Sequence, residues 1–482
     1  MNRRVFLETA AAAPFASAQG RRPPNVVFVL ADQWRAQAFG YAGDPNARTP
    51  AIDGLAAESV NFRNAVSGFP VCSPYRASLM TGQYAVNNGL VVNDVPLKPN
   101  GPTLAESFRK SGYETAYIGK WHLFGSPEGK AERRLSFVPK DARFGFDYWK
   151  ACECTHNYNR SLYYEGDDRQ ARFWEGYDAV GQTADACEFI RKRKSSNDPY
   201  FLLLSFGPPH DPYGTAPDEY KARYAEKQIH LRPNVPEFKA ERAVGDLRGY
   251  YAHTAALDDC VKRVREVVDD RTILVFTSDH GDMLQSQGLP LKQFPWDESI
   301  RVPFLIRFPR AWNVKRCMVD TVLDAPDIMP TLLGACGLRI PESVEGRDYS
   351  KIAAGKEGED AGSAALLNVP ASFSVIRRHG CAEYRGLRTR RYTFVRSIHG
   401  PWLLYDNQED PYQKNNLIGN PRRRDLQARL ERTLDQRLKA ARDDFLPGRS
   451  YVERAHAQHY REVNAEVGSA KSPWGDWQST WR

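Results

Sequence analysis

The chain of 482 residues has no C-x-x-C pair, no internal repeat and no low-complexity tract. It also has no apolar run close to the roughly 20 residues that span a bilayer. Each absence removes a class. Without a long apolar run, no stable membrane insertion is expected. Eight cysteines in a chain this long are far too few for a disulfide scaffold. The formal charge is +8, but the Lys and Arg residues are dispersed and no helix-turn-helix, zinc-finger or RNA-binding signature accompanies them. A nucleic-acid partner is therefore not expected. Attraction to polyanionic substrates, or solubility alone, fits the charge equally well.

What is present suits a large globular fold. Hydrophobic residues make up 41% and aromatics 12% of the chain, enough for a well-buried core. The length accommodates one large α/β domain and a smaller one. At the N-terminus, Asn2-Arg3-Arg4-Val5-Phe6-Leu7 resembles a twin-arginine export motif. A short apolar segment, Thr9 to Phe15, and a small-residue cleavage pattern, Ala16-Ser17-Ala18, follow it. Residues 1–18 are expected to be a signal peptide, which places the mature protein in the periplasm or outside the cell.

Several runs read as strands buried on both faces, the kind found in parallel sheets: Asn25–Leu30, Tyr200–Phe206 and Thr272–Thr277. Thr115–Ile118 and Val302–Arg307 are further strands. Helices are predicted from Pro50 to Val60 with Thr49 as N-cap, and over Thr103–Ser111, Thr183–Lys194, Val244–Val268 and Ala325–Cys336. Residues 124–180 and 211–238 read as irregular. From residue 371 the pattern changes to short alternating segments at Ser372–Ile376, Tyr384–Arg388, Tyr392–Arg396 and Trp402–Tyr405, which suggest an antiparallel sheet. Leu426, Leu430, Leu434 and Leu438 mark one amphipathic helix on it. The expected fold is α/β. A large, mostly parallel mixed sheet is sandwiched by helices over residues 22–370, and a smaller α+β subdomain occupies 371–482. Trp474, Trp477 and Trp481 in the tail are expected to pack on the body.

Four of the strands run into polar residues: Asp32-Gln33, Lys120 with His122, His210, and Asp279-His280. Ligands of open α/β sheets bind beyond the carboxyl ends of strands. Cys72 opens the stretch Val71 to Gly82, where Ser73-Pro74 can start a helix and Thr81-Gly82 can end it. A nucleophile at a helix N-terminus sits beside a ready anion site, which suggests chemistry on a sulfate or phosphate ester. Asp32, Gln33, Asp279 and His280 form a plausible divalent metal site for Ca²⁺ or Mg²⁺, with the imidazole also admitting Mn²⁺. In extended backbone, Lys120 and His122 point to one side. Lys292 lies a little beyond Asp279. Cys152-Glu153-Cys154-Thr155-His156 could hold a metal, but two thiols and one imidazole do not complete a tetrahedral site, and a structural loop or a disulfide is the plainer expectation. Cys187, Cys260 and Cys336 suit core packing.

At these residues the sequence resembles the sulfatases of the alkaline phosphatase superfamily. Cys72-Ser73-Pro74-Tyr75-Arg76 is similar to their C-x-P-x-R core, with Leu79-Met80-Thr81-Gly82 as its continuation. Gly119-Lys120-Trp121-His122, Pro209-His210, Ser278-Asp279-His280-Gly281 and Arg301-Val302-Pro303 resemble further segments in the same order, as do Tyr405-Asp406, Asp410-Pro411 and Asn416-Leu417. The resemblance implies an alkaline phosphatase-like fold and a sulfuric ester hydrolase. A maturation enzyme would convert Cys72 to formylglycine, and its hydrate would be the nucleophile. One divalent metal, Ca²⁺ before Mn²⁺ or Mg²⁺, would sit on Asp32, Gln33, Cys72, Asp279 and His280. Asp279 would help deprotonate the nucleophile and Arg76 would orient it. His122 would release sulfate with support from Lys120, and His210 and Lys292 would bind sulfate and protonate the leaving alcohol. The substrate would be a sulfated small molecule or glycan. Tyr75 stands where many members have Ser, Thr or Ala, and Gln33 where many have a second Asp. An Asp/Gln with Asp/His set also resembles related phosphodiester and phosphonate monoester hydrolases, which often use Mn²⁺. That activity, and a catalytically silent sulfoglycan-binding relative, are the alternatives.

Overall fold

The computed structural model describes residues 22–464. The twin-arginine segment and Trp474, Trp477 and Trp481 lie outside the described residues. The main sheet contains β1 (Asn25–Asp32), β2 (Val60–Phe62), β4 (Glu114–Lys120), β5 (Tyr148–Cys152), β6 (Arg160–Glu165), β7 (Arg172–Glu175), β8 (Tyr200–Pro209), β9 (Thr272–Ser278), β10 (Phe304–Arg307) and β11 (Cys317–Val319). Their order is β11-β2-β10-β9-β1-β8-β4-β5-β6-β7. Two very short strands, β3 (Ala65–Val66) and β12 (Leu323–Asp324), pair separately. The central pairings β9-β1-β8-β4-β5 are parallel, whereas β10 joins β9 antiparallel and β6 joins β5 antiparallel.

Every residue of β1, β8 and β9 is buried. Side chains alternate across a strand, so β1 feeds two cores. Val26, Phe28 and Leu30 join one core with the helices Cys72–Thr81, Leu104–Lys110 and Ala325–Ala335. Val27, Val29 and Ala31 join the other with the helices Pro50–Ala56, Asp178–Lys192 and Ala240–Val267. Apolar runs without alternation form central strands here because helices cover both faces.

The small sheet comprises β13 (Ala364–Val369), β14 (Tyr384–Thr389), β15 (Tyr392–Ser397) and β16 (Gly400–Asp406), all antiparallel. Leu426, Leu430, Leu434 and Leu438, on the helix Arg424–Ala440, pack on Leu366, Leu387, Phe394 and Leu404 of this sheet. Each such leucine contributes about 1.5–3 kcal/mol of burial. Asp443, just past the helix, accepts hydrogen bonds from Arg385 and Tyr451, and from Asn368 Nδ2 at 2.7 Å.

Several sequence expectations are corrected. Residues 124–180 are not irregular: β5, β6 and β7 extend the main sheet through them. Val60 does not end a helix but begins β2, because the helix stops at Ala56. Thr49 gives that helix no side-chain cap. Its hydroxyl instead accepts from the Gly40 N–H and donates to Asp53 Oδ1. No strand forms over Ser372–Ile376. A helix occupies Ser374–Arg378, and the fourth strand is β13, ahead of residue 371.

Candidate active site

The helix Cys72–Thr81 starts at the cysteine itself, with Val71 as N-cap, so Ser73 lies within its first turn rather than capping it. Its C-terminus is the expected one: Gly82 takes a left-handed φ of 66° and returns its N–H to Ser78 O. All ten residues are buried, and Tyr75 faces the apolar core. Gly119, before Lys120, must be glycine: its φ is 108°, and a Cβ there would lie 2.0 Å from the Ser205 carbonyl oxygen. That close approach lets β4 and β8 end at the same rim.

Asp32, Cys72, Asp279 and His280 converge with their ligand atoms all within 4.8 Å of one another. Cys72 Sγ is 3.2 Å from His280 Nε2 and 3.5 Å from Asp32 Oδ1. Arg76 Nη2 donates to Asp32 Oδ2 at 3.0 Å and to Asp279 Oδ2 at 3.3 Å, and its Nη1 donates to Ser205 Oγ and the Lys120 carbonyl. These bonds go to the two carboxylates and the β4 and β8 ends. Lys120 Nζ reaches Asp32 Oδ2 at 2.6 Å. Burial alone would raise the Asp32 carboxyl, but the charges of Lys120 and Arg76 hold it well below the usual range. Asp279 is pushed up to about 7 by burial and the neighbouring Asp32 charge. His280 is held down to about 3 by burial and the positive charge of Lys292, and its Nδ1 lies 3.0 Å from the Gly281 carbonyl oxygen. A carbonyl only accepts, so Nδ1 carries the proton and Nε2 turns a lone pair toward the cluster. Two buried carboxylates and a neutral imidazole nitrogen whose ligand atoms converge are a donor set that fits a divalent cation.

Gln33 lies beside this cluster at a left-handed φ of 71°. Its N–H donates to Asp279 Oδ1, its Nε2 to Asp282 Oδ2 at 2.6 Å, and its Oε1 accepts from Lys292 Nζ at 2.5 Å. Lys292 Nζ also lies 2.5 Å from His210 Nε2, and His210 Nδ1 2.8 Å from the Asp211 carbonyl. Lysine only donates, so His210 is neutral with its proton on Nδ1, and burial with the Lys292 charge keeps it so. The His156 ring stacks on it with centroids 4.5 Å apart.

His122 departs from expectation in its backbone. Its φ is 60°, so it does not continue the extended run of Lys120. It turns Nε2 to Asp94 Oδ1 at 3.0 Å, and Arg134 holds the same carboxylate at 2.7 Å. Burial opposes a charged His122, but Cys154 and Asp94 outweigh it and raise its pKa well above the ordinary value. Its Nδ1 is buried without a hydrogen-bond partner. Cys152 and Cys154 are both free, so no disulfide joins them. Cys187, Cys260 and Cys336 are buried in the cores as expected.

The strand ends thus bring Asp32, Gln33, Lys120, His122, His210, Asp279, His280 and Lys292 together around Cys72 and Arg76. Sequence reading missed Asp94, Arg134, Ser205 and Asp282. Asp282 had a signal, since it follows Asp279 and His280 in one polar run. Asp94 and Arg134 had none, because each sits alone in a loop.

The Sulfatase family model matches residues 24–338. The chain belongs to the sulfatase family. A second family model, the C-terminal region of N-sulphoglucosamine sulphohydrolase, matches residues 287–440 of this sulfatase. It is 41% identical to an ulvan-active sulfatase of Formosa agariphila, over 93% of this chain and 89% of the relative. It is 29% identical to an endo-4-O-sulfatase of Bacteroides thetaiotaomicron, over 86% and 91%. Among solved structures, the Bacteroides fragilis yidJ structure matches with a TM-score of 0.80 and 28% identity, covering 89% of this chain and 98% of that one. The sulfatase is accordingly an enzyme that hydrolyses sulfate esters on an alkaline phosphatase-like fold. Among the described residues no helix is long and apolar enough to cross a membrane.

Proposed function

We propose that this sulfatase releases inorganic sulfate from a sulfated carbohydrate, using residue 72 as formylglycine made from Cys72 by a maturation enzyme. The observation that carries the reading is the convergence of Cys72, Asp32, Asp279 and His280 beneath a ring of buried cations. Relatives whose names specify ulvan and endo-4-O-sulfate activity support a carbohydrate substrate. The resemblance at residues 2–18 supports export to the periplasm or beyond, and the change of texture supports a catalytic domain followed by a smaller C-terminal one, whose sheet begins at β13 (Ala364–Val369) rather than at residue 371.

The residues proposed to hold the metal are Asp32, Asp279, His280, residue 72 and the Gln33 amide oxygen. This oxygen-rich set favours Ca²⁺, with Mn²⁺ and Mg²⁺ as alternatives. When bound, such a cation supplies the charge that acidifies a nearby hydroxyl and offsets the sulfate oxygens. Asp279 takes the proton of the attacking hydroxyl of the residue-72 hydrate. Lys120 and Lys292 bind the sulfate oxygens, Lys292 protonates the departing alcohol oxygen, and neutral His210, which accepts from Lys292 at Nε2, orients that ammonium. Arg76 keeps the two carboxylates apart and in register with residue 72. His122, whose Nε2–H is donated to Asp94, leaves Nδ1 without a protein partner; its raised pKa keeps Nδ1 protonated in most molecules, and the deprotonated form serves as the base that takes the proton of the second hydroxyl. Removing that proton re-forms the aldehyde and expels sulfate.

Comparing turnover of sulfate monoesters and phosphate diesters on protein from the native host tests the reading. Faster phosphodiester or phosphonate turnover would overturn it in favour of the related hydrolases. Peptide mass spectrometry of residue 72 on the same sample is expected to show formylglycine, and a wholly intact thiol would point to a silent sulfoglycan binder. Elemental analysis of that sample identifies the metal.

A further inference from the structure

A second cluster of positive charge lies on the same rim of the sheet, away from Cys72. The rim follows from register. Phe304 pairs with Thr277 and Leu305 with Asn61, so the start of β10 and the end of β2 lie at the carboxyl end of β9. A cavity of about 450 Å³ opens there, within the size range of small-molecule sites. Arg35, Arg63, Arg232 and Arg301 line it, with Asp44 as the one carboxylate in its wall.

The surrounding acids pair with two of these arginines and leave Arg35 and Arg301 under-compensated. Arg63 pairs with Asp320, and Arg232 Nε pairs with Glu298 Oε1 at 2.9 Å. Asp320 is shared with Arg390. Asp297 is gripped twice by Arg388, at 2.8 and 3.0 Å, and only then lies 3.7 Å from Arg301. Asp44 accepts from the Tyr251 hydroxyl. Arg35 is 2% exposed, and its guanidinium makes one long contact, 3.5 Å, to the Tyr251 hydroxyl. Among the described residues no carboxylate pairs with it, and the Nε atoms of Arg35 and Arg301 are buried without hydrogen-bond partners. A buried guanidinium donor left unmade costs free energy unless a ligand meets it. Guanidinium forks match the geometry of planar and tetrahedral oxyanions.

We propose that the cavity between Arg35, Arg63, Arg232 and Arg301 is a second anion-binding site, which takes a sulfate or carboxylate group. It is distinct from the cluster around Cys72. The anion bridges Arg35 at the floor and Arg301 on the wall, with Arg63 and Arg232 at the mouth.

The test is anomalous diffraction from crystals of the whole protein soaked in sodium selenate, for wild type, Arg301→Met and Asn61→Asp. Asn61 also lines the cavity, and its near-isosteric change adds a negative charge without removing an arginine, which covers the case where Arg301→Met fails to fold. Wild type is expected to show a selenium peak in the cavity, and the Asn61→Asp peak is expected to fall at least fivefold. A wild-type crystal with no cavity peak, or a peak undiminished in Asn61→Asp, overturns the proposal. These outcomes do not depend on whether residue 72 is modified or sulfate is released. A kinetic arm separates the sources of the anion. If an acidic group of a longer glycan occupies the site, Asn61→Asp raises KM for a multiply sulfated tetrasaccharide about tenfold and leaves KM for a singly sulfated monosaccharide unchanged. If free sulfate occupies it, both KM values stay and only the selenate peak changes.

Discussion

At Asp443 one buried arginine meets one buried carboxylate; at Asp32 and Asp279 one buried arginine is divided between two. Arg385 is fully engaged, by Asp443 and by the Val369 and Tyr384 carbonyls, and Asp443 in turn by Asn368 and Tyr451. Arg76 serves Asp32 and Asp279 together and leaves its own Nε without a partner. Lys120 contacts only Asp32 directly, and burial and the Asp32 charge still hold the Asp279 carboxyl up at about 7. The closed cluster fastens the small sheet to the segment after its helix. The open one keeps polar capacity in reserve for groups that arrive later. Full satisfaction marks a structural pair, and a deficit marks a site.

Four experiments break or sharpen this contrast. The largest effect is expected from Cys72→Ala, which should lower sulfate release by roughly 10³-fold or more with little change in melting temperature. Full activity in that variant would end the assignment of the open cluster to catalysis. Arg385→Leu strands the Asp443 charge and should cost about 3–5 kcal/mol in urea denaturation, while the kcat of the folded fraction stays that of wild type. A loss of kcat at unchanged stability would mean that the closed cluster is not merely structural.

Asp279→Asn should act in the opposite sense. In chelator it relieves repulsion with Asp32, and unfolding should need about 1–2 kcal/mol more than in wild type. Returning a divalent cation should reverse the order, because binding stabilises the better site. The smallest effect is a pH dependence of opposite sign at the two clusters. Asp443 is held below its ordinary value: burial works against its charge, but the Arg385 hydrogen bond and charge prevail. Its stabilisation is complete above the unfolded carboxyl value of about 3.9 and is lost as pH falls through the lower folded value. Asp279 is raised to about 7 by burial and Asp32, so its favourable contribution is complete below about 3.9 and disappears as pH climbs through 7. Melting curves of wild type, Asp443→Asn and Asp279→Asn in chelator, from pH 3 to 8, should show differences that slope in opposite directions.

The parts legible in the sequence were those where one physical cause dominates. Asn25–Leu30 and Tyr200–Phe206 are apolar at every position, which only a doubly covered strand accommodates. The leucine repeat from Leu426 to Leu438 admits only a one-sided helix. The polar ends of β1, β8 and β9 stood out against those apolar runs, and so the metal cluster could be read. The strands β5 to β7 were hidden because Arg160–Glu165 and Arg172–Glu175 carry charges at an exposed sheet edge, where burial imposes no pattern. Ser372–Ile376 alternates like a strand but has no neighbour to pair with. His122 was expected on extended backbone, and its left-handed φ depends on loop contacts that no local pattern encodes. Asp94 and Arg134 are linked only through the fold, 40 positions apart.

Cys72 is 2% exposed, on a helix whose every residue is buried. For a protein of this construction that is a statement about timing. No second enzyme can grip a side chain sealed between a sheet and its covering helices. The oxidation proposed for residue 72 must then be complete while Val71 to Gly82 is still an unfolded strip of chain. On the proposed conversion of Cys72, folding would close the window, and the fraction of active enzyme in a preparation would be the outcome of a race between modification and collapse, decided once per molecule during its synthesis.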